Sequence, residues 1–263
     1  MVIPALTPVP QATCSCPDLV FSDQEFAFEL KRTLAAAYAG EADIEECLAT
    51  ASRIREGDFE RWYAEWKKTA DHFRAEGDKS LAAGHNVTAR EAYYRAATYY
   101  RTAEFFLHGN PSDPRIPDTW GKSRDAFRDA IALDTVPYEI VAIPYENTTL
   151  PGYFYKVDNS GRSQPLLIVQ TGFDGCQEEL HPYAMEGIKR GYNVLTFEGP
   201  GQGAVIRKQH LPFRPDWENV ITPVVDYAVS RPDVDKDRIA LWGISLGGYL
   251  APRGAAYEPR LPP

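Results

Sequence analysis

The amino-acid sequence predicts an α/β protein in which a helical region precedes a parallel sheet, and two periodicities support this fold class. From about residue 21 to 133, apolar residues recur every three to four positions, as on one face of a helix. From about residue 136 onward, short apolar runs alternate with helical segments, as in parallel strands joined by right-handed crossovers. The change of period predicts a flexible tail at 1–20, a helical domain at 21–134 and a sheet-containing domain at 135–263.

Capping and glycine signals set the expected helix bounds in the first region. Residues 22–25, Ser-Asp-Gln-Glu, form a capping-box pattern and predict a helix that Gly40 terminates. A second helix is expected at 43–56. Three more helices are expected: one that carries Trp62 and Trp66 on its buried face and ends near Gly77, one at 88–107, and one at 117–133.

Five short apolar runs predict the strands of the sheet. The first two are expected to pair as a hairpin joined through Pro151-Gly152, and the third, LLIV, has the continuous apolar character of a strand buried on both faces. Helices are expected at 178–190 and 217–230. The strands are expected at 138–143, 153–157, 166–169, 193–197 and 238–242.

Charge and hydropathy limit the classes of partner. The chain has 28 Lys and Arg against 37 Asp and Glu, a formal net charge of -9, and no run of basic residues that nucleic acid or an anionic membrane would require. No stretch approaches the roughly 18 apolar residues of a transmembrane helix. Pro4, Pro8 and Pro10 interrupt the apolar start of the chain, which argues against a secretory signal. We therefore expect a cytoplasmic protein with a small-molecule substrate and with neither nucleic acid nor membrane as a partner.

The four cysteines do not form a disulfide scaffold, because four in a chain of 263 residues are too few and too scattered. Cys14 and Cys16 would ligate a metal only with two further ligands, and none lies nearby in the sequence. We expect free thiols and no metal. The four are Cys14, Cys16, Cys47 and Cys176.

The sequence GISLG at 243–247 is the strongest chemical signal. It follows the apolar run at 239–242 and precedes a helix-like segment, which is the strand, strained turn and helix of a nucleophile elbow. In that motif the central serine is the nucleophile, and small neighbours permit its tight backbone conformation. We predict Ser245 as the nucleophile, against the alternative of an ordinary tight turn.

A serine nucleophile of this kind needs two backbone donors for the oxyanion. One follows the nucleophile and the other lies in the loop after the third strand. These positions correspond to the amides of Leu246 and Phe173. The alternative for Phe173 is an ordinary strand-to-helix turn.

The segment GPGQGA at 199–204 formally matches the dinucleotide pattern G-x-G-x-x-A after a strand. That fingerprint must open a helix whose N-terminus holds the pyrophosphate, but Pro212 and Pro215 follow too soon. We interpret the segment as the glycine-rich turn after the fourth strand, beside the nucleophile.

The order TGFDG, EE, FEGPGQG and GISLGG resembles one branch of the α/β-hydrolase superfamily, over about residues 40–258. This branch contains the dihydroxypseudooxynicotine hydrolases and the fungal hydrolases that shorten polyketides, such as the yellowish-green pigment enzyme. The resemblance implies strands 1 to 5 of an α/β-hydrolase sheet and an N-terminal all-helical cap domain that closes over the nucleophile. It also implies cleavage of an ester, amide or carbon-carbon bond, without a cofactor, in a polyketide-like secondary metabolite.

The same resemblance implies an acidic residue that assists the chemistry from the loop after the third strand. Asp174, Glu178 and Glu179 are the residues that match, and the sequence does not choose among them. The alternative for the two glutamates is a favourable charge at the start of a helix.

The resemblance further leads us to expect a truncated chain. α/β-Hydrolases order their triad as Ser, Asp or Glu, then His, whereas only 18 residues follow Ser245 and none is His or Asp. His181 and His210, both upstream, are the histidines that could approach the site. An acyltransferase, or a catalytically incomplete remnant with a binding role, therefore stays an alternative to a hydrolase. An unpaired strand at 239–242 would also favour a homodimer.

Aromatic residues are concentrated in the fourth predicted helix. A face so rich in tyrosine predicts a substrate pocket for aromatic or polyene ligands, against the alternative of a helical core. The residues are Tyr93, Tyr94, Tyr99, Tyr100, Phe105 and Phe106.

Overall fold

The computed structural model describes residues 19–261. Most of the predicted tail, together with Cys14 and Cys16, therefore lies outside the described residues. A helical region leads into a mixed sheet with helices on both faces, which confirms the α/β fold class. None of the described helices combines the length and apolar character needed to cross a membrane.

Five α-helices precede the sheet in the described part of the chain, and their positions follow the apolar periodicity, except that the second ends at Ala51, five residues before its predicted end. Short 3₁₀ turns follow the first and the fourth helix, at Ala36–Ala39 and Phe105–Gly109. The helices are α1 (Gln24–Ala35), α2 (Ile44–Ala51), α3 (Phe59–Ala82), α4 (Asn86–Glu104) and α5 (Arg115–Ala132).

The start of α1 differs from the predicted capping box. Asp23 is the N-cap, and its carboxylate accepts from the amides of Glu25 and Phe26 at 3.0 Å. Ser22 instead donates its hydroxyl to Glu56 at 3.0 Å. The carboxylate of Asp23, one residue after Ser22, accepts from the free amides of the first turn. The hydroxyl of Ser22 is therefore not used as a cap and instead connects the start of α1 to Glu56.

The predicted end of α3 at Gly77 is wrong, because the helix continues for five more residues to Ala82. Gly77 lies under the ring of Tyr93 on α4, and an added Cβ would lie 2.5 Å from the Cδ1 atom of that ring. Gly77 therefore allows α3 and α4 to pack closely and does not end α3.

The tyrosines of α4 form part of the helical core and do not line the cavity at Ser245, contrary to the predicted aromatic pocket. Their rings are buried, and each hydroxyl donates to a carboxylate, which satisfies the polar end of a buried ring. The pairs are Tyr93 with Asp78, Tyr94 with Asp134, Tyr99 with Glu46, and Tyr100 with Asp71, at 2.6–2.9 Å.

The described strands form one sheet in the order β1-β2-β4-β3-β5. β3 is parallel to β4 and to β5, whereas β2 is antiparallel to β1 and to β4, so the sheet is mixed. The strands are β1 (Tyr138–Tyr145), β2 (Thr148–Tyr155), β3 (Gln164–Gln170), β4 (Asn193–Phe197) and β5 (Val234–Gly243).

The turn between β1 and β2 lies earlier than predicted. Tyr145 pairs with Thr148, so the two-residue connection is Glu146-Asn147, with Glu146 left-handed at φ 44°. Pro151 and Gly152, the predicted connection, lie inside β2. A two-residue connection can only join antiparallel strands, which explains why this part of the sheet departs from the parallel pattern.

Helices cover both faces of the sheet. On one face, Tyr153, Val169 and Val194 share a hydrophobic cluster with the aromatic residues of the helical region. On the other face, Trp217 and the apolar side of α7 (Glu218–Ser230) fill the core. The remaining α-helices are α6 (His181–Lys189) and α8 (Gly247–Ala255), and a short π-helix at Val205–Gln209 follows the glycine-rich segment GPGQGA. The carboxyl ends of β3 and β5 consequently meet between the helical region and α8.

Candidate active site

Ser245 lies in the three-residue connection between β5 and α8, with its backbone in the left-handed region at φ 59°. A left-handed non-glycine residue costs conformational free energy and is typical of strained functional turns. A strand, a left-handed serine and a helix follow one another here, which is the backbone arrangement expected of a nucleophile elbow.

Close backbone contacts explain the glycines around Ser245. The loop after β3 packs directly on the elbow: a Cβ on Gly172 would lie 2.7 Å from Cβ of Ser245, and a Cβ on Gly247 would lie 2.6 Å from the carbonyl oxygen of Thr171. A Cβ on Gly243 would collide with the carbonyl of Gly247. The small residues of GISLG are therefore required by packing between two loops.

The amides of Phe173 and Leu246 flank the same spot. A Cβ on Gly172 would lie 3.0 Å from the nitrogen of Leu246, which places the Gly172-Phe173 peptide beside the elbow. Neither amide donates a hydrogen bond to another residue of the described chain. The Phe173 ring is 66% exposed and stacks on Phe213, with a centroid distance of 5.6 Å.

A cavity of about 340 Å³ opens over Ser245. The sheet contributes the loop after β3 and the elbow, while α1 and α4 contribute the opposite wall. Asp174 and Glu179 line this cavity, but Glu178 does not. Two of the three predicted acids thus lie at the cavity of Ser245.

Asp174 and Glu179 belong to an ion network with Arg32, Arg101 and Glu29, which we call the cap network. Arg32 contacts one oxygen of Asp174 and one of Glu179, each at 2.6 Å. Arg101, which is buried, contacts Asp174 at 3.3 Å, Glu179 at 3.0 Å, and also Glu29. The network connects α1 and α4 to the loop after β3.

Burial and charge act in opposite directions on the carboxylates of the cap network. For Asp174 and Glu179, burial alone would raise the pKa, but the guanidinium groups of Arg32 and Arg101 outweigh it and the pKa is lowered. Glu29 is fully buried, and burial raises its pKa to about 7 in spite of both arginines. The two acids that face the cavity are therefore ionised at neutral pH.

Glu178 points into the body of the protein and forms an acidic pair with Glu198. It accepts a hydrogen bond from the hydroxyl of Tyr153 at 2.9 Å. Burial, followed by repulsion from Glu198, raises the pKa of Glu178 to about 8. Glu198 accepts from the amides of Gln177 at 3.0 Å and Ala204 at 2.7 Å, and burial raises its pKa as well.

One cluster of residues that could ligate a metal occurs in the described chain. Cys176, Glu178 and Glu198 offer ligand atoms within 4.8 Å of one another. Burial raises the pKa of all three groups, which favours their neutral forms over the anions that a metal prefers. The arrangement serves a buried hydrogen-bonded pair better than a metal centre.

The structure brings neither of the two candidate histidines into the cavity at Ser245. His181 is buried, with Nδ1 2.7 Å from Glu41 and Nε2 3.3 Å from the hydroxyl of Tyr94, so both ring nitrogens are engaged. His210 lies in a left-handed turn and lines a different cavity of about 510 Å³, together with Phe173.

Sequence reasoning missed the two arginines of the cap network and the side chain of Gln202. Arg32 and Arg101 lie 142 and 73 residues from Asp174 in sequence, so no local pattern points to them. For Gln202, the glycine-rich segment GPGQGA was the available signal, and its central glutamine is buried against the loop after β3.

Comparison with known proteins agrees with this architecture. The sheet, the elbow and the covering helices define an α/β-hydrolase. A family model described as "Esterase FrsA-like" matches residues 27–261, and the chain belongs to this FrsA-like family.

The similar proteins include fungal hydrolases. Hydrolase acrC of Aspergillus aculeatus is 43% identical over 256 residues, covering 90% of this chain and 59% of the relative. The 20-hydroxy-prefusarin hydrolase FUS2 of Gibberella moniliformis is 39% identical over 251 residues, covering 92% of this chain and 60% of the relative. The chain thus spans about three fifths of the length of these relatives.

A solved structure shares the fold over most of the chain. The crystal structure of 2,6-dihydroxy-pseudo-oxynicotine hydrolase superposes with a TM-score of 0.74 and 25% identity, covering 88% of this chain and 62% of the other. The chain is therefore similar, over most of its own length, to proteins that are named hydrolases, and it has the α/β-hydrolase fold.

Proposed function

We propose that the protein is a serine hydrolase in which Ser245 attacks a carbonyl carbon of a small, polyketide-like secondary metabolite. The observation that carries the proposal is the left-handed Ser245 beside the amides of Phe173 and Leu246, which have no partner in the described chain. The name of the relative FUS2 supports this substrate class, since it is a 20-hydroxy-prefusarin hydrolase.

In this mechanism a base removes the hydroxyl proton of Ser245, and the resulting oxygen nucleophile attacks the carbonyl carbon. The carbonyl oxygen takes up the electron pair and is stabilised by the amides of Phe173 and Leu246. Collapse expels the leaving group, and water hydrolyses the covalent intermediate. The mechanism requires a general base, and none of the described histidines lines the cavity of Ser245.

We assign the accessory acid to Asp174. Glu178 is turned toward Tyr153 and away from the cavity, and Glu179 binds both arginines with its two oxygens. Asp174 lines the cavity at Ser245 and also the neighbouring cavity at Phe173. Its carboxylate is therefore placed to accept a hydrogen bond from a substrate hydroxyl between the two cavities.

The domain division is part of the same proposal. Residues 21–134 would act as a cap and 135–263 as part of the hydrolase domain, because both contribute walls to the cavity over Ser245. The cytoplasmic location, the absence of nucleic-acid partners and the homodimer stay predictions from the sequence.

The test uses protein expressed from its complete coding sequence. Ser245→Ala is expected to lower the turnover of activated aryl esters and ketide substrates by about 10⁴- to 10⁶-fold. Ser230→Ala is the matched control, because Ser230 donates only to the carbonyl of Tyr227 at the end of α7. Near-normal turnover by Ser245→Ala would remove Ser245 from the mechanism.

A further inference from the structure

The glycine-rich turn after β4 carries a glutamine whose side chain returns to the candidate active site. Gln202 lies in GPGQGA and is only 1% exposed. Its Nε2 atom donates to the carbonyl oxygens of Thr171 at 2.9 Å and Gly172 at 2.8 Å. Its Oε1 atom accepts from the amide of Gly199 at 2.9 Å. Both N–H groups and the carbonyl of this side chain are used, so its orientation is defined.

These hydrogen bonds determine how the Gly172-Phe173 peptide is turned. No cis peptide occurs in the described chain, so the carbonyl of Gly172 and the amide of Phe173 point in opposite directions from one peptide plane. Because Gln202 binds the carbonyl, the N–H of Phe173 points away from Gln202. Among the described residues this N–H has no acceptor, which is the condition required of an oxyanion donor.

A second side chain of the same turn holds the far end of the loop. Glu198 accepts from the amide of Gln177, three residues beyond Asp174, and from the amide of Ala204 in its own turn. The loop after β3 is thus fastened to the turn after β4 on both sides of Phe173. This arrangement limits the rotation of the peptide that carries the Phe173 amide.

We infer that Gln202 is a positioning residue for the oxyanion site, holding the Phe173 amide toward the carbonyl oxygen of the substrate. The inference rests on the proposed function of Ser245 and Phe173. Gln202 does not touch the reacting atoms, because its amide lies on the opposite side of the Gly172-Phe173 peptide.

The variant Gln202→Met keeps the approximate length of the side chain and removes all three hydrogen bonds. Gln209→Met is the matched control: Gln209 donates to the carbonyl of Thr149 at 2.9 Å and accepts from the Thr148 hydroxyl at 3.1 Å, away from the cavity at Ser245. In protein from the complete coding sequence, we expect kcat to fall about 10- to 100-fold in Gln202→Met with little change in KM. We expect less than about twofold change in the control.

A transition-state analogue separates positioning from general structural damage. An aryl trifluoromethyl ketone forms a bond between its carbonyl carbon and Oγ of Ser245, the carbonyl oxygen becomes the oxyanion, and the serine proton passes to the base. The corresponding secondary alcohol has the same shape and forms neither bond nor oxyanion. Gln202→Met is expected to weaken the binding of the ketone by the same factor by which kcat/KM falls. The affinity for the alcohol is expected to stay unchanged.

The variant Gln202→Glu supplies an independent measurement if the methionine variant does not fold. Its ionised carboxylate would repel the two carbonyl oxygens, whereas its protonated form would donate one hydrogen bond. Activity relative to the wild type is therefore expected to rise as the pH falls. A flat ratio across pH, or equal loss of ketone and alcohol affinity, would overturn the positioning role. If Ser245→Ala still binds the ketone as the wild type does, the proposed function itself fails.

Discussion

Glu178 and Glu179 are neighbours in the chain, yet their surroundings are opposite. Glu179 faces two arginines at the edge of the cavity, and its pKa is lowered. Glu178 faces Tyr153 and Glu198 inside the protein, and its pKa is raised to about 8. The 3₁₀ turn Gln177–Leu180 directs successive side chains to different sides. Glu179 is therefore an ionised residue in the cavity wall, whereas Glu178 is a neutral buried residue.

The difference shows that the loop after β3 is held in two ways. On the cap side, ionised carboxylates are matched by arginines from α1 and α4. On the sheet side, neither Glu178 nor Glu198 forms an ion pair with another described residue, and both depend on protonation and on hydrogen-bond donors. The first arrangement depends on charge partners, and the second depends on pH.

Removing Arg101 is expected to have the largest effect on stability. Arg101→Met removes the most buried cation of the cap network and leaves Glu29 and Glu179 with the more exposed Arg32 alone. Loss of one partner of a buried pair costs about 3–5 kcal/mol of unfolding free energy. Arg95→Met, on the same helix, removes a more exposed pair with Glu46 and is expected to cost about 1 kcal/mol. Urea unfolding at pH 7 measures the loss of unfolding free energy in both variants. Equal losses would mean that the cap network stabilises the fold no more than an exposed ion pair does.

The acidic pair is expected to respond to pH. Folding raises the pKa of Glu178 from 4.5 to about 8, so the folded state favours its protonated form. The stabilisation is complete below about pH 4.5 and is lost as the pH rises toward 8. Glu178→Gln keeps an acceptor for the hydroxyl of Tyr153. Its free energy of unfolding should exceed that of the wild type by about 3 kcal/mol at pH 8.5, with a smaller difference at pH 5.5.

Unfolding curves at these two pH values test the comparison between the glutamates. Glu179→Gln should not be more stable than the wild type at high pH, because folding lowers the pKa of Glu179. The ionised carboxylate therefore stabilises the folded state at high pH, and this stabilisation is lost only as the pH falls. The same pH response from both variants would contradict the assignment of opposite environments.

Asp174→Asn is expected to have the smallest effect of these substitutions. The effect is on the activation free energy of catalysis and not on the free energy of unfolding. Loss of the carboxylate beside Ser245 should lower kcat about 10- to 100-fold, since a hydrogen-bond acceptor for the substrate is replaced by a neutral amide. Glu178→Gln, assayed at pH 6.5, should retain at least half of the activity because it does not line the cavity. A greater loss in Glu178→Gln than in Asp174→Asn would transfer the accessory role to Glu178.

The parts of the fold that local patterns define could be predicted from the sequence. The run at 193–197 coincides with β4, and the glycines of GISLG correctly indicated a strained turn at residue 245. The turn at Pro151-Gly152 was wrong, because the pairing of Tyr145 with Thr148 depends on register and not on turn-forming residues alone.

The candidate site was less predictable, because contacts distant in sequence define it. No pattern near Asp174 or Glu179 indicates that Arg32 lies 2.6 Å from both. Only the folded chain distinguishes Glu178 from its neighbour, since both are glutamates at the start of the same turn. The role of Ser245 itself stays a proposal that the Ser245→Ala variant tests.

The contact between Gly77 and Tyr93 has a consequence for protein engineering. Replacing helix glycines with alanine is a common route to thermostable variants, since it removes roughly 1 kcal/mol of conformational disadvantage. In α3 the space for that methyl group is already filled by the ring of Tyr93. The substitution would force α3 and α4 apart and cost about 1–3 kcal/mol by overpacking. A thermostabilisation campaign on this helical region should therefore exclude Gly77, although helix propensity alone would rank it as a leading target.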